Sequence, residues 1–140
     1  EKATEIGIDT FIPIICRFSE RKELKTNRME RIAAAAMKQS QQSILPVIHQ
    51  TTSFDYLMEM PFTGEKYIAH CYDKDKKTLP EIYQKGNDAL VLIGPEGDFS
   101  EEEIEKALER GFIPVSLGKN RLRTETAALA ACHTIHVLNM

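Results

Sequence analysis

At 140 residues, with 42% hydrophobic and 28% charged residues, the chain has the length of one globular domain and can bury roughly two-thirds of its unfolded surface. A net charge of −3 gives no general signal of nucleic-acid binding. No apolar run approaches the ~20 residues of a membrane span, and nothing at the N-terminus has the form of a signal peptide.

Glu1-Lys-Ala-Thr is not a natural chain start, so upstream residues are expected. Glu1 to Gly7 reads as the end of a helix with Gly7 as its C-cap. Thr10 to Cys16 is β-branched and apolar, hence a strand, and Pro13 inside it points to an edge or a bulge. Asn27 to about Gln41 is a helix, with Met29, Ile32, Ala33, Ala36 and Met37 on one face. The polar run Gln39 to Gln42 is either a plain helix end or a ligand-facing surface. Pro46 to His49 is a short strand. Ser53 to Met60 is a short helix with Ser53 as N-cap. Lys66 to Tyr72 is a strand leading into the polar loop Asp73 to Lys77, and Leu79 to Lys85 is a helical turn stopped by Gly86. Ala89 to Ile93 is apolar throughout, the pattern of a strand covered on both faces in a parallel sheet.

Ser100-Glu-Glu-Glu103 is a capping box. It opens a helix with Ile104, Ala107 and Leu108 as its buried stripe and Gly111 at its end. Phe112 to Leu117 is the next strand. Thr124 caps the last helix, whose Ala127, Ala128, Ala130 and Ala131 suit either the core or a subunit interface. There is no internal repeat, linker or low-complexity tract. Strands alternating with helices predict an α/β domain with a mainly parallel sheet and helices on its faces.

Two strands of this series end alike. Ala89 to Ile93 runs into Gly94-Pro-Glu-Gly97, and Ile113 to Leu117 runs into Gly118 and the cations Lys119, Arg121 and Arg123. In α/β sheets ligands sit beyond the carboxyl ends of strands. At Gly94, Gly97 and Gly118 a side chain would keep a flat ligand from the backbone, although strand-end glycines are also ordinary turn residues. Neither GxGxxG nor GxxxxGK[ST] is present, which disfavours NAD and ATP. Arg123 and Glu125 flank the start of the last helix. Arg123 can fork onto a phosphate or an enolate-like oxygen, or pair with Glu125 or Glu96.

Basic residues gather at Arg17, Arg21, Lys22, Lys25, Arg28 and Arg31, and acids from Glu101 to Glu109. The basic stretch is a solvated face or a phosphate-binding patch. Cys16, Cys71 and Cys132 are widely spaced in apolar surroundings, without CxxC or paired histidines. They read as reduced thiols of a cytoplasmic protein, with no metal site. His49, His70, His133 and His136 are scattered, the last two at the spacing of a helix surface or interface. No Ser-His-Asp or Cys-His order stands out.

Glu5-Ile-Gly7, Gln39-Ser40, Ile93-Gly-Pro-Glu-Gly97 with Glu101 to Glu103 close behind, and Leu117-Gly-Lys-x-x-Leu-Arg-Thr-Glu-Thr-Ala127 resemble the RsmE family. These are the small-subunit ribosomal RNA uridine-N3 methyltransferases of the SPOUT superfamily. The likeness covers almost the whole chain in the family's order. It implies residues 1–140 as one SPOUT domain with a C-terminal trefoil knot, a homodimer across the knot, and S-adenosylmethionine held by the knot loops. The family's N-terminal PUA-like barrel and first strand are expected ahead of Glu1. Two departures stand out: Asp98 occupies a position where glycine is usual, and Lys38-Gln-Ser-Gln-Gln42 replaces the common Glu-Gln-Ser-x-Arg.

Carried onto this sequence, the resemblance implies that the backbone at Leu117, Gly118 and Leu122 holds the adenine. Gly94 and Glu96 border the ribose and methionine parts, Gly97 and Thr126 complete the cofactor set, and the loop after Tyr72 closes the pocket. Arg123 would steady negative charge on the uridine or hold a phosphate, and Glu125 is the nearest carboxylate to take the N3 proton. The rival readings are a non-catalytic RNA-binding or ribosome-assembly module of the same fold, and a small-molecule transferase of ordinary doubly wound fold.

Overall fold

The computed structural model describes residues 9–18, 26–39, 47–70, 72, 76–118 and 122–140, with side chains at 26–29, 37 and 39 excluded. The expected Gly7 cap, the Ser40–Gln42 run, Cys71, Asp73–Asp75 and Lys119–Arg121 lie outside these residues.

The expected first strand is interrupted. Strand β1 (Thr10–Phe11) and strand β2 (Ile14–Ile15) precede helix α1 (Thr26–Gln39), and strands β3 (Val47–Ile48) and β4 (Thr52–Ser53) return alongside. Both pairings are parallel, with Thr10 opposite Val47, Phe11 opposite Ile48, Ile14 opposite Thr52 and Ile15 opposite Ser53. Ile12 and Pro13 therefore face His49, Gln50 and Thr51, a bulge of one residue. Proline has no amide to give to a ladder, and a bulge tolerates it. Its carbonyl still accepts from the Thr52 amide at 2.9 Å.

Helix α2 (Phe54–Glu59) is capped as expected, the Ser53 hydroxyl accepting from the Tyr56 amide at 3.1 Å. Strand β5 (Glu65–Ala69) follows, then strand β6 (Lys77–Thr78) and helix α3 (Leu79–Ile82). This helix is shorter than the expected Leu79–Lys85. The chain turns extended at Tyr83, whose ring is buried and whose hydroxyl donates to the Asn87 carbonyl at 2.6 Å. Strand β7 (Ala89–Ile93), helix α4 (Glu101–Glu109), strand β8 (Ile113–Ser116) and helix α5 (Thr124–Leu138) complete the series.

The capping box of α4 forms in both directions. The Ser100 amide donates to the Glu103 carboxylate at 2.8 Å, and the Glu103 amide donates to the Ser100 hydroxyl at 3.1 Å. The helix ends in a Schellman arrangement, Phe112 amide to Ala107 carbonyl and Gly111 amide to Leu108 carbonyl. Leu108, expected in the buried stripe, stays 42% exposed.

The main sheet has the order β6-β8-β5-β7 and is parallel throughout. Because side chains alternate along a strand, its two faces collect different sets. Tyr67 and Val115, with Val91 and Ile93, pack on Leu79 and Tyr83 from the α3 segment and on Ala131 and Ile135 of α5. Ile68 and Leu92 pack on Phe54, Leu57 and Met58 of α2, Ile104 and Ala107 of α4, and Phe99. The result is helix, sheet, helix, as the alternation of elements predicts. Pro114 lies inside β8, but β6 pairs only with Val115 and Ser116. Pro114 therefore sits where β8 has a neighbour on one side, β5.

Candidate functional site

At the carboxyl edge of the sheet, β7 gives way to Gly94 and β8 to Leu117 and Gly118. One hydrogen bond ties the two exits together: the Thr124 hydroxyl donates to the Gly94 carbonyl at 2.9 Å. The sequence suggests Thr124 as the cap of the last helix. The structure corrects this, since Arg123 is the N-cap, in an extended conformation without a side-chain cap bond. Thr124 is the first helical residue, and its hydroxyl reaches across to the other loop.

The three loop glycines have different surroundings. A Cβ at Gly94 would lie 3.1 Å from the Asp98 carboxylate and from the Phe99 ring. A Cβ at Gly97 would lie 2.8 Å from the Phe18 Cβ. A Cβ at Gly118, which is at φ +137°, would meet nothing within 4 Å among the described residues. The Gly118 amide donates to the Ser116 hydroxyl at 3.2 Å, and that hydroxyl donates back to the Gly118 carbonyl at 2.9 Å.

The first loop is a tight turn, the Asp98 amide donating to the Pro95 carbonyl at 2.8 Å. Asp98 adopts φ +63°, a left-handed conformation that glycine takes freely and aspartate tolerates. Its carboxylate accepts from the Phe99 amide at 2.8 Å. The departure at Asp98 thus leaves the turn intact.

Glu96, Arg123, Glu125 and Thr126 are exposed, while Leu117 and Leu122 are half-buried. Among the described residues Arg123 forms no ion pair; the pairs present are Arg17–Glu102, Lys106–Asp55 and Arg110–Glu59. The alternative of an Arg123 pair with Glu125 or Glu96 is therefore not realised. Thr124 brings Arg123 to the β7 loop through its bond to Gly94, and Glu125 follows it on the first turn of α5.

Sequence reasoning gave little weight to the end of β5, which lies between β7 and β8 and so opens between the two glycine loops. His70 is buried at 5% exposure, with its ring centroid 5.9 Å from that of Tyr72. The Lys76 ammonium donates to the His70 carbonyl. Burial, then the carboxylates of Asp98, Glu101, Glu102 and Glu103, push the Tyr72 phenol above its ordinary range. The signal that would have found this pair is strand order, because the end of a central strand borders the crevice. Among the described residues no group of His, Cys, Asp or Glu is arranged to hold a metal ion.

A family model described as an RNA methyltransferase domain matches residues 1–136. The ribosomal RNA small subunit methyltransferase E of Aquifex aeolicus is 35% identical over 133 residues, covering 92% of this chain and 57% of that protein. The protein of the same name from Rickettsia conorii is 29% identical over 140 residues, covering 97% and 57%. A probable rRNA-methyltransferase from Porphyromonas gingivalis matches with TM-score 0.92 and 45% identity, over 99% of this chain and 59% of that one. The ribosomal RNA small subunit methyltransferase E from Neisseria gonorrhoeae, solved bound to S-adenosyl methionine, matches with TM-score 0.87 and 31% identity, over 99% and 58%. The chain thus spans 57–59% of the length of these relatives.

Proposed function

Since this chain belongs to the RNA methyltransferase domain family, we propose that it is the catalytic domain of an S-adenosylmethionine-dependent methyltransferase acting on N3 of a uridine in small-subunit ribosomal RNA. The observation that carries this reading is the Thr124–Gly94 bond. It joins two strand-end loops, and among the described residues nothing stands within 4 Å of the place a Gly118 side chain would take. A flat, largely uncharged adenine suits such a cradle. A triphosphate does not, for no glycine-rich phosphate loop is present.

In this reading the backbone at Leu117, Gly118 and Leu122 holds the adenine. The Gly118 amide is already engaged by Ser116, so Leu117 and Leu122 supply the other backbone groups that read the base. Gly94, Glu96, Gly97 and Thr126 complete the cofactor set, with Gly97 shaping the turn through its contact with Phe18 rather than touching the ligand. The bound cofactor supplies a methyl group on sulfonium. The chain's own task is to hold the acceptor in line and to favour loss of the uridine N3 proton. Arg123, exposed and free of ion pairs among the described residues, steadies the negative charge that develops on the base oxygens. Glu125, two residues on in the first turn of α5, takes the proton.

The trefoil knot is part of the proposal. β8 lies between β5 and β6, so the β5–β6 connection must pass β8. The chain leaving β8 returns past β5 to the end of β7, where Thr124 bonds Gly94. This strand order and the Thr124–Gly94 bond support a threaded chain, against the usual rule. A homodimer is supported by α5, an apolar helix of which only Ala131 is fully buried and which leaves Val137 47% exposed. The remaining length of the relatives would correspond to an N-terminal RNA-binding domain, and the compartment to the cytoplasm.

The test is calorimetry of the chain with S-adenosylmethionine, followed by tritiated methyl transfer to small-subunit ribosomal RNA and digestion to nucleosides. Binding with label in 3-methyluridine is the expected result. No binding heat would overturn the reading in favour of a non-catalytic module, and label in another nucleoside would overturn the target.

A further inference from the structure

The turn after β2 carries an aromatic side chain that the proposed reaction has not used. Phe18 is 44% exposed and adjoins the first glycine loop, since a Cβ at Gly97 would lie 2.8 Å from its Cβ and 3.2 Å from its carbonyl oxygen. The residues around it are fastened down. The Arg17 amide donates to the Glu103 carboxylate at 3.1 Å, whose other oxygen accepts from the cap residue Ser100 at 2.8 Å. The Arg17 guanidinium pairs with Glu102 at 2.7 Å and stands 5.8 Å from the centre of the Phe18 ring. An aromatic ring is thus held half in water, on a fixed backbone, at the rim of the proposed cofactor loop.

We propose that Phe18 is a stacking platform for a nucleobase of the RNA substrate, positioning the strand so that the target uridine meets the methyl donor. This rests on the methyltransferase reading. The charges favour a base over a phosphate at this point. Arg17 is already paired, and Glu101, Glu102 and Glu103 stand nearby at the start of α4. These carboxylates repel a phosphate but not an uncharged ring. Single-stranded RNA is bound in this way, its bases stacked on aromatic rings. Gly97 then gains a second reason to be glycine, because any side chain there would displace the platform.

Two substitutions separate stacking from packing. F18L keeps an apolar side chain against Gly97 and removes the aromatic face; F18Y keeps both. Three quantities are read for each variant and for the wild type. These are the Kd for S-adenosylmethionine, the Kd for a fluorescein-labelled single-stranded uridine-rich RNA, and the KM for small-subunit ribosomal RNA in methyl transfer. Stacking on an aromatic is worth ~1–3 kcal/mol per base by substitution, so F18L should weaken RNA binding and raise that KM by roughly 5- to 150-fold. Cofactor affinity should stay within twofold, and F18Y should match the wild type. F18L that binds and methylates RNA like the wild type would overturn the platform while leaving the enzyme reading standing. F18L that loses cofactor affinity in proportion would also overturn it, assigning Phe18 to the shape of the loop. A wild type that binds neither cofactor nor RNA would overturn both readings together.

Discussion

Replacing Thr124 with valine deletes one hydroxyl and keeps the volume and branching of the side chain. The hydroxyl donates to the Gly94 carbonyl at 2.9 Å, from the first turn of α5 to the end of β7. Such a bond contributes about 0.5–1.5 kcal/mol, and a buried acceptor left without it costs up to about 3 kcal/mol. Gly94 is buried, so a loss of about 1–2 kcal/mol is expected. For a domain of this size that lowers Tm by roughly 3–8 °C. If the bond also aligns the two loops around the cofactor, part of the loss reappears in the Kd for S-adenosylmethionine, up to about tenfold for 1.4 kcal/mol. Thermal unfolding and calorimetry on T124V and T124S measure both quantities, with the serine variant expected to stay near the wild type. T124V indistinguishable from the wild type in Tm and Kd would refute the reasoning. So would T124S falling as far as T124V, because a retained hydroxyl should preserve the bond.

Gly97→Ala should destabilise by about 1–3 kcal/mol through overpacking against the Phe18 Cβ at 2.8 Å, and F18G added to it, which removes that Cβ, should recover part of that loss. Urea unfolding of the two single variants and the double variant checks this, and additive effects would refute it. Arg123→Ala should lower kcat by roughly 10²- to 10³-fold with cofactor affinity unchanged, and normal turnover by R123A would remove Arg123 from the chemistry. The Glu81 carboxyl is held below its ordinary 4.5 by hydrogen bonds from the Thr78 hydroxyl and amide. A depressed folded-state pKa stabilises above the unfolded value and stops doing so as pH falls through the folded one. Glu81→Gln should therefore flatten part of the Tm decline below pH 4.5 while leaving neutral pH little changed; an acid limb identical to that of the wild type would contradict this.

The elements that were legible in the sequence are those whose signals are local. The Ser100–Glu103 box forms as written because its bonds span three residues. Ala89 to Ile93 is apolar on both sides because both faces of β7 are covered. Pro13 forecasts the bulge because proline cannot donate to a ladder. What was not legible depends on strand order. Nothing local to Ile113–Ser116 says that it enters between β5 and β6, and without that fact the end of β5 cannot be put between the two glycine loops. His70 goes unmarked in the sequence for this reason, and the loop after Tyr72 enters only through the family resemblance. Thr124 was misassigned for a related reason. A threonine ahead of an alanine-rich run looks like a cap, and only the tertiary fold supplies a carbonyl thirty residues away that claims its hydroxyl.

Gly94, Gly97 and Gly118 carry the same sequence signal, which reads either as room for a flat ligand or as an ordinary strand-end turn. The space a side chain would need separates them. At Gly94 it is taken by Asp98 and Phe99, the turn's own residues; at Gly97 by Phe18, from a distant segment of the chain; at Gly118 by nothing among the described residues. The first glycine lets the loop close on itself, the second lets another element dock on it, and the third is the one to which the proposed function gives a ligand. Asp98 fits this division. Its left-handed φ of +63° is a demand of the turn that aspartate meets at modest cost, so glycine at that position is dispensable. At Gly97, where the constraint is a neighbouring side chain rather than a dihedral angle, no residue bearing a Cβ is an equal substitute.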